Sequence, residues 1–243
     1  PVLAAAAVFF IGWKVLVVVA NYPVFILPAP DVVARRFLEA WTDGTMWPHA
    51  SATLVEIGLG LAVGAGLALA VGYLLARSRF AERLLSPYIV AAQATPVLIL
   101  APFIALWVGT GLALKVVICA LIVFFPIAIS TMVGIRSVDQ RLLEMGHSLR
   151  ASRRQIVTKL ELPAALPQIL GGMRVGVTLA VIGAIVGEWA GPDRGLGVLI
   201  NLARGSLFDI PLMYAALATI VFIALTLYLI VLLVERALVG AWR

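Results

Sequence analysis

Charge is scarce in this chain. Asp, Glu, Lys and Arg make up 12% of its 243 residues, where a soluble domain carries about 25%. A soluble fold of this length has too much surface to cover with so few charges, because surface area limits what a single core can bury. Cysteine is nearly absent. Cys119 stands alone inside an apolar run, which excludes a disulfide framework within the chain and leaves a small interior residue. The two histidines, His49 and His147, fall in separate polar segments, so neither a metal site nor a nucleophilic triad assembles around them. No glycine-rich nucleotide loop occurs. Residue 1 is Pro, so the native start is expected upstream. The first apolar run has no small-residue cleavage site and is expected to be retained.

What fills the chain is apolar: 63% of residues are hydrophobic and the mean hydropathy is +1.10. A bilayer span needs about 20 such residues. Runs of this kind lie at 3–20, 54–76, 88–108, 112–135, 167–189 and 210–234. They predict an all-α membrane protein of about six transmembrane helices in one domain, 1–243. The third run is interrupted by Pro96 and Pro102 and closed by Gly109 and Gly111; it is read as one irregular span. Residues 31–41 predict a short amphipathic helix with Asp31 as N-cap and Val32, Val33, Phe37 and Ala40 on one face. In the second run Gly60, Gly64, Ala68, Gly72 and Ala76 recur every four residues. Such a stripe of small side chains lets another helix backbone approach closely in lipid.

The net charge of +6 comes without aromatics interleaved among the basic residues, which argues against nucleic acid. Lys and Arg instead gather at the ends of apolar runs, as cytoplasmic loops require. With the N-terminus inside, cytoplasmic segments hold twelve of the eighteen Lys and Arg and outer segments four, with Lys14 and Lys115 within spans. Both termini are therefore expected in the cytoplasm. No internal repeat is found, and six spans are few for the paired repeats of secondary transporters.

The longest polar stretch, Asp139 to Pro167, reads as two short helices. In the first, Leu142, Met145 and Leu149 share a face. The second opens at Ser152, and Gln155 three residues on fits a capping box. Ile156 and Leu160 form its apolar stripe, Arg153, Arg154 and Lys159 supply charge, Pro163 is expected to stop it, and Pro167 to open the next span. Periodicity alone leaves two readings: a helix resting on lipid headgroups, or a docking site for a partner.

The same stretch resembles the Glu-Ala-Ala loop of ABC importer permeases. Glu144-Met145-Gly146 stands at the Glu-Ala-Ala places and Leu160-Glu161-Leu162-Pro163 at the closing Ile-x-Leu-Pro, at the expected distance. The similarity covers about forty residues from SVDQRLLEMGHSLRASRRQIVTKLELPAALP onward. Met145 and Gly146 replace the alanines, and Arg150 stands where the family has Gly, so the turn there is made either with φ < 0 or under strain. The resemblance implies a fold like the type I importer permeases, with 136–166 a cytoplasmic coupling loop docking on an ATP-binding subunit. The contacts would come from Gly146, Arg150, Ala151, Ser152, Arg153, Arg154, Gln155, Ile156, Leu160 and Pro163, and Glu144 would brace the loop or pair with a partner cation. It also implies a homodimer of permeases, two ATPase copies carrying ATP and Mg, and an extracytoplasmic solute-binding protein. No cofactor and no enzymatic activity are expected in this chain.

The runs LPAPDVVARRF, QATPVLILAPFIALWVGTGLALKVVICALIVFFPIAISTMVGIRSVD and AVIGAIVGEWAGPDRGLGVLI are similar to the permeases for nitrate, taurine, alkanesulfonates, and thiamine or riboflavin precursors. The nearest in pattern handle pyrimidine precursors of thiamine, then riboflavin; taurine, alkanesulfonate or nitrate-type anions are the alternative. Ionisable groups at membrane depth need a reason. Glu188, followed by Trp189, is either a gate or solute contact near the outer mouth or an interfacial Glu beside an anchoring Trp. Gln93 and Thr95, before Pro96, either line a path where the helix breaks or add packing polarity. Trp107 reads as an anchor, Ser130 and Thr131 as hydroxyls bonding back to their own helix, and Arg174 as snorkelling to the cytoplasmic surface. The competing classes are an autonomous channel or secondary carrier, and a membrane-embedded enzyme, for which no polar cluster is visible in the sequence.

Overall fold

The computed structural model describes residues 2–191 and 193–240. These fold into helices, with no strand among the described residues. In chain order they are α1 (Val2–Val19), α2 (Pro30–Thr42), α3 (Met46–Arg77), α4 (Arg79–Ala94), α5 (Val97–Val108), α6 (Leu112–Arg136), α7 (Gln140–Ser148), α8 (Arg153–Ile156), a π-helical turn (Val157–Glu161), α9 (Leu162–Ala190), α10 (Leu196–Gly205) and α11 (Ile210–Gly240). Four are long and apolar enough to cross a bilayer: α3, α6, α11, and the continuous helix Arg153–Ala190 that includes α9. Apolar α1 is shorter.

The fifth span exists only if α4 and α5 are taken together, and they meet at 105°. The run 88–108 is therefore irregular as expected: it is broken at Pro96 into two helices, which form either a broken span or a re-entrant loop. Pro96 lacks an N–H and pushes the residue before it out of the helical region. Thr95 accordingly sits at φ −83°, ψ 122° and ends α4. Pro87 and Pro102 lie inside α4 and α5 without ending them.

Two boundaries differ from expectation. Pro30 opens α2 at a position where its fixed φ suits a first turn, so Asp31 is not the N-cap; its carboxylate pairs with Lys14 of α1 instead. Helix α3 begins eight residues before the apolar run, at Met46. Pro48 falls in its first turn, where a missing N–H leaves nothing unsatisfied.

The chain forms two compact units, Pro1–Val55 with Pro192–Ile223, and Glu56–Gly191 with Ala224–Arg243. In the first, α2 buries Val33 and Ala40, and Arg36 Nε donates to Asp209 Oδ2 at 2.7 Å. Thr53 Oγ1 accepts the Leu196 N–H at 2.9 Å, and His49 Nδ1 lies 2.8 Å from the Gly195 carbonyl oxygen. These polar side chains hold the start of α10.

The second unit is arranged around α6, which packs on α3 and α9 through small residues, as the stripe predicts. A Cβ on Gly64 would stand 2.7 Å from the Ala120 carbonyl oxygen, and one on Gly72 2.5 Å from that of Ala128. From α9, a Cβ on Gly183 would stand 2.8 Å from Cys119 Cα and one on Gly187 2.9 Å from Lys115 Cα. In hydrocarbon such close backbone approach takes the place of the hydrophobic effect as the source of attraction.

Candidate functional site

The loop 136–166 folds locally, for reasons visible in its sequence. The Asp139 carboxylate accepts the Arg141 N–H at 2.9 Å and starts α7. At the other end the Arg150 N–H donates to the His147 carbonyl at 2.9 Å and the Ala151 N–H to the Gly146 carbonyl at 3.0 Å. This is the double bond pattern of a Schellman cap, which needs a left-handed residue. Arg150 provides it with φ +54°, so the turn is made under strain rather than with negative φ.

Ser152 then caps α8 through the expected box. Its hydroxyl accepts the Gln155 N–H at 3.3 Å, and Gln155 Oε1 accepts the Ser152 N–H at 2.7 Å. Pro163 does not stop this helix, and Pro167 lies inside α9 rather than opening it. The π-helical turn is the reason: the Leu162 N–H donates to the Val157 carbonyl, five residues back. That wider turn leaves room where the Pro163 ring would meet the carbonyl four residues before it.

The loop is tied down by two ion pairs. Glu161, only 1% exposed, pairs with Arg77 at the end of α3, and the Tyr73 hydroxyl donates to its other oxygen at 3.4 Å. Arg136 makes a bidentate pair with Glu82, 2.7 Å in each arm, and its Nη2 donates to the Leu75 carbonyl at 2.7 Å. Glu144 is exposed and in no ion pair among the described residues, so it does not brace the loop in this chain. Ile156 points inward, and Gly146 lets α7 close on Leu160: a Cβ there would stand 2.8 Å from Leu160 Cδ1. What faces out is an apolar stripe, Leu142, Met145 and Leu149 (75% exposed), beside the exposed Arg153, Arg154 and Gln155.

Gln93 and Thr95 line a cavity of about 280 Å³ at the break between α4 and α5, with Ile122, Phe125, Pro126 and Leu179 as its apolar walls. Thr95 spends its hydroxyl proton on the Ala91 carbonyl, at 3.0 Å. Pro96 is exposed beside it. Ser130 is not in this cavity; it packs on Gly172. Thr131 bonds back to the Ile127 carbonyl at 2.7 Å, as its position in a helix predicts. Arg174 pairs with Glu235 at 2.9 Å.

Glu188 lies inside the helices rather than on their surface. It is 1% exposed and lies close enough to Glu56 to act on its carboxyl electrostatically. Lys115 Nζ donates to Glu56 Oε1 at 2.8 Å, and both side chains are 2% exposed. Trp189, the next residue, is half exposed.

Residues 62–243 match the family described as binding-protein-dependent transport system inner membrane component. The chain belongs to that family. It is the permease subunit of an ABC importer. The permease is 48% identical over 227 residues to the riboflavin transport system permease protein RibX of Chloroflexus aurantiacus, covering 93% of this chain and 84% of that protein. It is 35% identical to the formylaminopyrimidine transport permease ThiX of Halalkalibacterium halodurans, over 76% of this chain and 73% of that one. Its fold is similar to a chain of the MetNI methionine ABC transporter in an inward-facing conformation, with TM-score 0.71 at 22% identity, covering 80% of this chain and 98% of that one.

Sequence reasoning found the permease's loop but missed Glu161, Arg77, Glu56 and Lys115. Glu56 carried a signal: it is an acidic residue two positions inside an apolar run, as costly there as Glu188. Its partner lies 59 residues away, beyond any periodicity.

Proposed function

We propose that this permease imports a small planar heteroaromatic solute, of the riboflavin or thiamine-pyrimidine type. It would work as a homodimer with two ATP-binding subunits on its cytoplasmic side and a solute-binding protein outside. The high identity to a riboflavin permease along nearly the whole chain carries the choice of solute. The cavity beside Gln93 supports it: an amide that both donates and accepts, in a lining shared with Phe125 and aliphatic side chains, suits a flat ring with a polar edge. ATP and Mg belong to the partner subunits, and the bias of Lys and Arg puts both termini in the cytoplasm.

Energy enters through 136–166. The outward stripe of Leu142, Met145 and Leu149 with Arg153, Arg154 and Gln155 at its rim has the form of a helix that docks in a groove. Arg150, Ala151 and Ser152 set the turn that presents it. Gly146, Ile156 and Leu160 hold its shape from inside, and Pro163 joins it to α9. Closure of the ATPases would then move the spans as rigid bodies.

The test is reconstitution in liposomes with the ATP-binding and binding-protein subunits. ATP-dependent uptake of labelled riboflavin is expected, and a thiamine-precursor pyrimidine should compete. Met145→Asp with Leu149→Asp should release the ATPase on co-purification and abolish uptake while the spans stay folded. Flux through the permease alone, without ATP, would make it an autonomous carrier instead.

A further inference from the structure

A groove of about 960 Å³ lies within the first compact unit, between α1, α2 and the first turns of α11. That is the upper end of the roughly 300–1,000 Å³ typical of small-molecule sites. Two small residues in its lining, Gly12 and Ala218, keep it open; a Cβ on Gly12 would meet nothing within 4 Å. Phe9, Phe10 and Leu217 beside them are exposed, and in a membrane protein such apolar surface faces lipid. The groove shares no residue with the cavity at Gln93.

Polarity changes along it. Lys14, Asp31 and Arg35 each follow a residue that lines the groove, Trp13, Pro30 and Ala34 respectively, and so form its rim. Lys14 pairs with Asp31 across α1 and α2, and Arg35 stands one turn beyond Asp31 on α2, on the same face by its i, i+4 spacing. Its neighbour Arg36 is held by Asp209 and Asp43, whereas Arg35 is exposed and in no ion pair among the described residues. The rim therefore carries one positive charge in excess. Exposed charges mark the edge of the hydrocarbon, where anionic headgroups meet basic side chains. Trp13 lies next to Lys14 with its ring centre 5.9 Å from that of Tyr214, as aromatic side chains sit at that edge. From there toward Phe9, one turn back along α1, and Val221 of α11, the walls are apolar.

A charged rim over an apolar trough matches an amphiphile. A planar heteroaromatic solute needs several polar partners around its edge, and the lining offers only the polar tips of Trp13 and Tyr214. We propose that this groove binds one anionic phospholipid per chain, with its acyl chains against Phe9, Trp13 and Val221 and its phosphate at Lys14 and Arg35. The bound lipid joins α1, α2 and α11 and stabilises their arrangement by mass action.

Native mass spectrometry of the full permease in detergent tests this, with dioleoyl phosphatidylglycerol and the zwitterionic dioleoyl phosphatidylcholine added in turn. The wild type should retain one phosphatidylglycerol per chain and prefer it to phosphatidylcholine by about fivefold, the worth of one basic side chain near a headgroup. Gly12→Leu with Ala218→Leu fills the trough and should abolish retention of both lipids. Arg35→Gln should keep retention and lose the headgroup preference. If the filled variant does not fold, Arg35→Gln, on the exposed face of α2, decides the matter alone. The proposal is overturned if the wild type retains no phospholipid, as it would with a second copy of the chain seated in the groove, if both lipids bind the wild type alike, if the filled variant retains as much as the wild type, or if Arg35→Gln keeps the preference.

Discussion

Arg150 holds a left-handed backbone conformation that costs a residue with a Cβ about 1 kcal/mol. Nothing offsets that cost except the two cap bonds to His147 and Gly146. Arg150→Gly is therefore expected to raise thermal stability by up to about 1 kcal/mol, and Arg150→Val to lower it; thermal melts of the two variants against wild type check this. Glu161 works in the opposite sense. Replacing it with Ala leaves the Tyr73 hydroxyl and Arg77 without their acceptor and is expected to cost about 1–3 kcal/mol. A melt would measure that cost. ATPase stimulation, measured alongside, should also fall, because the same residue fixes the loop to α3.

At the scale of elements, the glycines of α3 divide into two classes. Gly64→Val and Gly72→Val drive a side chain into the backbone of α6 and should break the packing, costing at least about 1–3 kcal/mol. Gly58→Ala and Gly66→Ala meet nothing within 4 Å and should leave the melting curve and monodispersity unchanged. If all four variants behave alike, the close approach of α3 to α6 is wrong. The capping box gives a smaller effect: Ser152→Ala should cost about 1 kcal/mol. These local devices are legible in the sequence because each is written within a few residues: Ser152 with Gln155, or Gly60 with Gly64 and Gly72. The end of α8 is not legible there. Pro163 reads as a stop signal, and only the π-helical turn before it shows how the helix continues.

At the scale of the whole chain, the order of apolar runs follows from composition, because a bilayer leaves the backbone few choices, but six runs give four helices long enough to span, or five with the bent pair. The 105° turn at Pro96 does not follow from composition, since Pro87 and Pro102 look the same in sequence and are accommodated within helices. Nor does the cluster of Glu56, Lys115 and Glu188, which depends on three helices meeting at one depth. The resemblance to importer permeases rests on the loop, and that is where local pattern and fold coincide.

The helix Arg153–Ala190 runs unbroken for 38 residues, from the capping box to the immediate neighbourhood of Glu188. At 1.5 Å per residue it is roughly 57 Å long. In the proposed coupling it would serve as a lever arm whose short end is the loop and whose long end carries a buried carboxyl. A tilt of roughly 10° at one end sweeps the other through roughly 10 Å, about the diameter of a helix. A small push on the loop would thus be amplified mechanically at the far side of the bilayer, with no relay of side chains in between.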